Sequence, residues 1–153
     1  MRFDVTCFEN FKIIVRTIIS RVLSTIVLQN LNRKEEICLN RLRVDLLLKG
    51  QLYAHNFRNI QSPKCNNCVN TNVTTKHFLI QCNDPNHTLK LADLRNALDD
   101  LNLLEYYNTL RIMEKCNFLL FGNQIDFSFD SNKRLISITA KFIDLNHKDF
   151  GST

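Results

Sequence analysis

An all-α fold, a small helical domain interrupted by one irregular turn, is the expectation for this 153-residue chain. Three observations carry it. Apolar residues recur at three- and four-residue spacings over most of the length, the signature of helices that bury one face. There are only three Gly and two Pro, too few for the turn signal roughly every 8–12 residues that an all-β design requires. The stretch after Ser62-Pro63 is polar and unpatterned, so it reads as an insert between helices. A hydrophobic fraction of 44% is ordinary for a globular protein and argues against wholesale disorder.

The first element is expected from about Asn10 to Leu31. Phe11, Ile14, Val15, Ile18, Ile19, Val22, Leu23, Ile26 and Val27 follow helical spacing, with Lys12, Arg16, Ser20 and Ser24 on the opposite face. Three cations, Lys12, Arg16 and Arg21, each cost about 2.5–3.5 kcal/mol near the centre of a membrane span. The segment therefore reads as an amphipathic helix and no membrane partner is expected. A second helix is expected over Glu35–Lys49, with Glu35 and Glu36 favouring its positive end and Gly50 as its stop. A short helix carrying His77, Phe78, Leu79 and Ile80 should start at Thr74 or Thr75 and end before Asp84-Pro85. Leu91, Leu94 and Leu98 mark the next helix. Tyr106 to Met113 continues the apolar pattern, and Phe118 to Phe121 forms a compact run closed by Gly122. Asp130 or Ser131 is expected to cap a last helix that turns Leu135, Ile136, Ile138, Phe142 and Ile143 inward. The organisation expected is an N-terminal helix over 1–34, a central module over 35–88 and a C-terminal helical segment over 89–153 packed on it.

Inside the central module, Cys65, Cys68, His77 and Cys82 are spaced C-x2-C-x8-H-x4-C. Two thiolates separated by two residues can bind one metal from a tight turn, and a His and a third Cys can close the tetrahedron. Three sulfurs and one nitrogen are a closed Zn2+ set with no open position for substrate water, so the site is expected to hold structure together. His87 is a lesser, alternate ligand. His55 and His147 read as surface residues, and Cys7, Cys38 and Cys116 as small buried ones. No early apolar stretch with a cleavage site follows Met1. An intracellular location, nuclear or cytoplasmic and not secreted, is therefore expected, where paired Cys bind metals before they form disulfides. A redox Cys-x-x-Cys would open a helix in a βαβ setting, and no nucleophile, base and oxyanion site stand together. Neither catalysis nor a small-molecule substrate is expected.

Charge is unevenly placed. Residues 1–83 carry 12 Lys/Arg against five Asp/Glu, a net of +7, and residues 84–153 carry eight against ten, a net of −2. A basic half containing the metal motif suits a polyanion-binding module. Arg41, Arg43, Arg58, Lys64 and Lys76 are the expected contacts to RNA or DNA, with Tyr53, Phe57 and Phe78 as stacking faces.

Several segments together resemble a known family: Leu39-Asn40-Arg41-Leu42-Arg43, Ser62-Pro63-Lys64-Cys65-Asn66-Asn67-Cys68, and His77-Phe78-Leu79-Ile80-Gln81-Cys82. They are similar to the zinc-binding region at the carboxyl end of non-LTR retrotransposon reverse transcriptases. Phe118 to Gly122, Asn132 and Ala140 to Ile143 resemble that family's closing segments. The resemblance spans roughly residues 35–150. It implies a zinc-stabilised tail of an element's polyprotein that binds element RNA or target DNA and has upstream reverse transcriptase domains as partners. No paired-Asp polymerase motif and no nuclease carboxylate set precedes the motif, so the chain itself is not expected to polymerise or cut. The alternative reading is a structural module that packs on the reverse transcriptase, or a decayed fragment of the element.

Overall fold

The computed structural model describes residues 31–57 and 59–151. The expected helix over Asn10–Leu31, Leu31 excepted, and residues 1–30 of the 1–34 segment, together with Cys7 and Arg58, lie outside the described residues. Among those residues the chain is all-α. Six α-helices run in the order α1 (Arg33–Arg43), α2 (Lys49–Ala54), α3 (Pro85–Asp100), α4 (Leu104–Thr109), α5 (Ile112–Phe121) and α6 (Phe129–Asn146). A π-helical turn, His77–Gln81, precedes α3, and a 3-10 turn, His147–Phe150, follows α6.

Helix α1 starts at a reciprocal cap: Asn32 Oδ1 accepts from the Glu35 N–H at 2.9 Å, and the Glu35 carboxylate accepts from the Asn32 N–H at 3.4 Å. It stops at Arg43, six residues earlier than the periodicity suggests. Asp45 adopts φ 58°. The N–H of Leu46 bonds Arg41 O and that of Asp45 bonds Leu42 O, which is the Schellman arrangement normally built around glycine. Asn56 (φ 62°) closes α2 and Asn102 (φ 58°) closes α3 by the same paired bonds, Phe57 N–H to Leu52 O and Leu103 N–H to Leu98 O. Side chains that tolerate left-handed backbone thus replace glycine at three helix ends, which reconciles many helices with so few Gly.

Gly50 does not stop a helix; it lies inside α2. A Cβ there would collide with the carbonyl of Val73, so its role is close approach of α2 to the strand-like segment that closes the metal loop. Gln51 reinforces that junction. Its Oε1 accepts from the N–H groups of Leu47 and Leu48, and its Nε2 donates to Thr75 Oγ1 at 2.7 Å. Asp84 caps α3 with Pro85 in its first turn. Gly122 ends α5 at φ 73°, and Ser128, two or three residues before the expected cap at Asp130 or Ser131, starts α6 by accepting from the Ser131 N–H.

One apolar core joins these elements. Leu39 and Leu42 of α1, Leu91, Leu94 and Leu98 of α3, Leu119 of α5, and Leu135, Ile136, Ala140 and Ile143 of α6 are buried together with Phe78 and Leu79 of the π turn. The boundary expected at 88/89 falls inside α3, and residues on both sides of it share this core. Asn132 pins the loop before α6. Its Oδ1 accepts from the Asn123 N–H at 2.8 Å and its Nδ2 donates to the carbonyls of Asn123, Phe127 and Ser128.

Candidate metal centre

The first two ligands sit on a hairpin. The N–H of Cys65 bonds Thr71 O at 2.7 Å, and that of Val73 bonds Pro63 O at 2.8 Å. The chain reverses between them at Asn70, which takes φ 52°. Val73 is fully buried and anchors the hairpin to the core. The other two ligands sit on the π turn. A five-residue step on an ideal α-helix would leave His77 and Cys82 about 140° apart. Here the Cys82 N–H bonds His77 O at 2.9 Å, an i to i+5 bond that widens the turn and stacks the fifth residue over the first. The local backbone thereby meets the geometry that the H-x4-C spacing requires.

The four ligand atoms of Cys65, Cys68, His77 and Cys82 all lie within 4.8 Å of one another. Cys68 Sγ and Cys82 Sγ are 3.8 Å apart. Two 2.3 Å metal–sulfur bonds at the tetrahedral angle place their sulfurs about 3.8 Å apart, whereas a disulfide holds them at about 2.05 Å. All four cysteine and histidine side chains are thiols or imidazole without a covalent partner. His77 is 2% exposed, and neither of its ring nitrogens has a hydrogen-bond partner. An imidazole buried with both nitrogens idle is costly unless a metal occupies one of them. This orphaned ring is the independent sign that the set fits a metal ion.

Electrostatics agree. Burial pushes the Cys82 thiol up to about 12, and the neighbouring sulfurs of Cys65 and Cys68 add to the rise against a backbone bond from Asp84. Burial also raises Cys68, but the backbone N–H of Asn83, the Cys82 and Cys65 thiols and the Asp84 N–H together bring it below its ordinary value. The Asn83 N–H reaches Cys68 Sγ at 3.4 Å. Three adjoining sulfurs resist joint ionisation unless a cation compensates them. Burial, then His87, holds His77 below its usual range, so the ring is neutral and ready to ligate.

His87 takes no part in the cluster. It is buried against Phe78, Phe142 and Phe150, and its Nε2 bonds Phe78 O at 2.6 Å. Among the basic residues expected to meet nucleic acid, Lys64 lies exposed on the hairpin with Nζ on Asn70 Oδ1 at 3.0 Å, and Lys76 lies exposed directly before His77. Arg41 is exposed but lines a separate cavity with His147 and Lys148. Arg43 turns inward: its Nε donates to Leu120 O at 2.8 Å and its guanidinium lies 5.0 Å from the Phe121 ring centroid. Desolvation there lowers Arg43 to about 10. It joins α1 to α5. Phe78, expected as a stacking face, is fully buried, whereas Tyr53 and Phe57 are exposed. Lys49, one of the basic residues that precede the metal motif in the sequence, starts α2 and bonds Asn66 Oδ1 at 2.9 Å, bringing a third cation beside the hairpin.

Two residues read as unrelated from sequence are brought together. Cys38 Sγ lies 3.3 Å from His147 Nε2 and 3.8 Å from Asp144 Oδ1. His147 is therefore half-buried and partnered, not a free surface residue. The only sequence signal was the i, i+3 spacing of Asp144 and His147 on one helix end.

No protein-family model, curated protein or solved structure gives a significant match to this chain. No helix among the described residues is long and apolar enough to cross a membrane.

Proposed function

We propose that this chain is a zinc-stabilised, non-catalytic nucleic-acid-binding module, the counterpart of the carboxyl-terminal region of non-LTR retrotransposon reverse transcriptases. The observation that carries the reading is the closed Cys65, Cys68, His77 and Cys82 set around an imidazole with both nitrogens unpartnered. A fully coordinated Zn2+ has no position for a reacting water, so its work is to fix the hairpin. That hairpin presents Lys64, and Lys49 and Lys76 flank it, with Asn66, Asn67 and Asn70 between them. These are point charges for phosphates and amides for hydrogen bonds to a backbone or base edge.

The test uses the full chain, with its zinc content fixed by elemental analysis and binding to labelled single-stranded RNA and duplex DNA followed across salt concentrations. One zinc lost with Cys82→Ser supports the site. A log affinity that falls linearly with log salt supports phosphate binding, and the pair Lys64→Ala and Lys76→Ala should reduce the slope by about 1.4 on a single strand. Salt-insensitive or absent binding refutes the nucleic-acid reading while leaving the metal site intact.

A second reading, a docking module for upstream reverse transcriptase domains, is favoured by one observation. Val44, Leu46, Tyr53 and Phe57 are large apolar residues left exposed on and around α2. Concentration-dependent self-association of the chain, relieved by Tyr53→Ser with Phe57→Ser, would support it.

A further inference from the structure

We propose that Cys38, Asp144 and His147 form a second metal site, a three-ligand one that takes a zinc-class divalent cation and clasps α1 to the end of α6. The three ligand atoms lie within 4.8 Å of one another. A tetrahedral ion with one sulfur, one nitrogen and one oxygen at ordinary bond lengths puts sulfur about 3.6 Å from each of the other two. The observed separations are 3.3 Å to His147 Nε2 and 3.8 Å to Asp144 Oδ1. Both separations lie within about 0.3 Å of that geometry.

The arrangement is wrong for the obvious alternative, a nucleophilic thiol with a base. In such a triad the carboxylate orients the imidazole and leaves the sulfur free. Here the Asp144 carboxylate lies against the sulfur itself, where it opposes thiolate formation. Burial and that carboxylate raise the Cys38 thiol, while burial lowers His147. The metal-free pair is thus neutral thiol beside neutral imidazole, with no preformed nucleophile. A divalent cation removes the conflict. Cys38 gives up its proton to solvent on binding, and thiolate and carboxylate then balance the two positive charges around a neutral imidazole.

The ligand types narrow the metal. A mixed sulfur, nitrogen and oxygen set suits Zn2+ or its reporter Co2+ and disfavours Mg2+ and Ca2+, which prefer all-oxygen shells. The ligands come from elements 106 and 109 residues apart in sequence, so the ion acts as a long-range clasp, unlike the local Cys65–Cys82 site. Three protein ligands leave a fourth position for water or an exogenous donor. His147 also forms part of the wall of a cavity of about 470 Å³ whose other lining residues include Arg41, Leu47, Phe57 and Lys148.

The test is a Co2+ titration of the reduced, metal-free full chain, followed by elemental analysis after Zn2+ exchange. Two equivalents are expected. Their sulfur-to-metal absorption should divide in about a three-to-one ratio, since one site has three thiolates and the other one. Cys38→Ser, Asp144→Asn and His147→Gln should each remove one equivalent and spare the stronger absorption, with helicity checked by circular dichroism. Asp144 and His147 are half-buried where Cys38 is buried, so those two variants keep the test open if Cys38→Ser unfolds. Cys82→Ser should spare the second equivalent. A wild-type chain that saturates at one equivalent unaffected by these three variants overturns the proposal, as does a second equivalent that survives all three. One equivalent lost with Cys38→Ser and kept in Cys82→Ser would instead retain the clasp and remove the Cys65–Cys82 site.

Discussion

Replacing His77 by Leu should change stability in opposite directions with and without zinc. In the metal-free chain the neutral imidazole is 2% exposed and leaves one N–H donor and one lone pair without partners. A buried polar group left unsatisfied costs about 1–3 kcal/mol. Leucine is close in volume, and an apolar residue of similar size costs less than about 1.5 kcal/mol in misfit. In a chelator, His77→Leu should therefore equal or exceed the wild type, by up to about 3 kcal/mol. With zinc the order reverses. Free zinc a thousandfold above the dissociation constant stabilises the folded wild type by about 4 kcal/mol. At about 2–4 °C per kcal/mol for a chain of this size, the midpoint rises by roughly 8–16 °C. The variant, with a ligand missing, should lose this contribution and keep only the smaller rise that the Cys38, Asp144 and His147 site supplies. Thermal melts by far-UV circular dichroism in chelator and in buffered zinc measure both terms. A variant equally destabilised in both buffers refutes the argument, because the loss is then one of packing. A variant that keeps the full zinc-dependent rise removes His77 from the ligand set.

Other consequences follow from single residues. Asn102→Ala should lower stability by about 1 kcal/mol, because alanine is strained at φ 58°, while Asn102→Gly should be neutral or slightly stabilising in denaturant unfolding. Asn132→Ala removes four hydrogen bonds around the 123–128 loop and should cost about 2–4 kcal/mol; Asn132→Asp, which keeps the acceptor but sets a carboxylate among three carbonyls, should be no better. Gly50→Ala should cost about 1–3 kcal/mol and weaken zinc retention, since its Cβ forces α2 away from Val73. For pH, burial holds His87 below its ordinary value, and its Nδ1 has no acceptor to meet a second proton. A depressed histidine contributes stability that is present above pH about 6.5 and is lost as pH falls through the folded value, at no more than about 1.4 kcal/mol per pH unit. His87→Phe should flatten that acid limb in chelator-treated protein.

The all-α class and the Cys/His cluster were legible because each rests on local pattern: helical spacing for the core, and four candidate ligands within 18 residues. The helix ends were less so. Gly50 looked like a terminator, but Asp45 carries the left-handed turn that ends α1, and glycine serves a tertiary contact with Val73 instead. Arg43 read as a surface cation because nothing local reveals Leu120 and Phe121 waiting across the core. Cys38 and His147 meet only when α1 packs on α6, a contact between residues more than a hundred positions apart. Sequence spacing reports what one turn brings together, and it is silent on pairings that helix packing creates.

The placement of the Cys/His cluster explains how one bound ion would govern a surface far larger than itself. Phe78 and Leu79 lie between His77 and Cys82, and both side chains are buried in the common core. The π turn is thus held from below by packing, and a metal bound to His77 and Cys82 would hold it from above. The hairpin has no comparable anchor: apart from Val73 and Cys65, residues 61–73 are exposed or half-buried. Its conformation rests on the two backbone bonds at Cys65 and Val73 and on exposed side-chain bonds of Lys49 to Asn66, Lys64 to Asn70 and Asn67 to Asp84; a metal on the Cys/His cluster would add the strongest constraint. Without the ion, the helical body built from α1, α3, α5 and α6 retains its own apolar contacts, while the hairpin loses the constraint that positions Lys64, Asn66 and Asn70. On the proposed function, metal removal should therefore abolish polyanion binding at a zinc level where most helicity persists, so that recognition and folding separate in one titration. Simultaneous loss of both would mean that the ion supports the whole core, and that the hairpin is part of the body rather than a surface displayed by it.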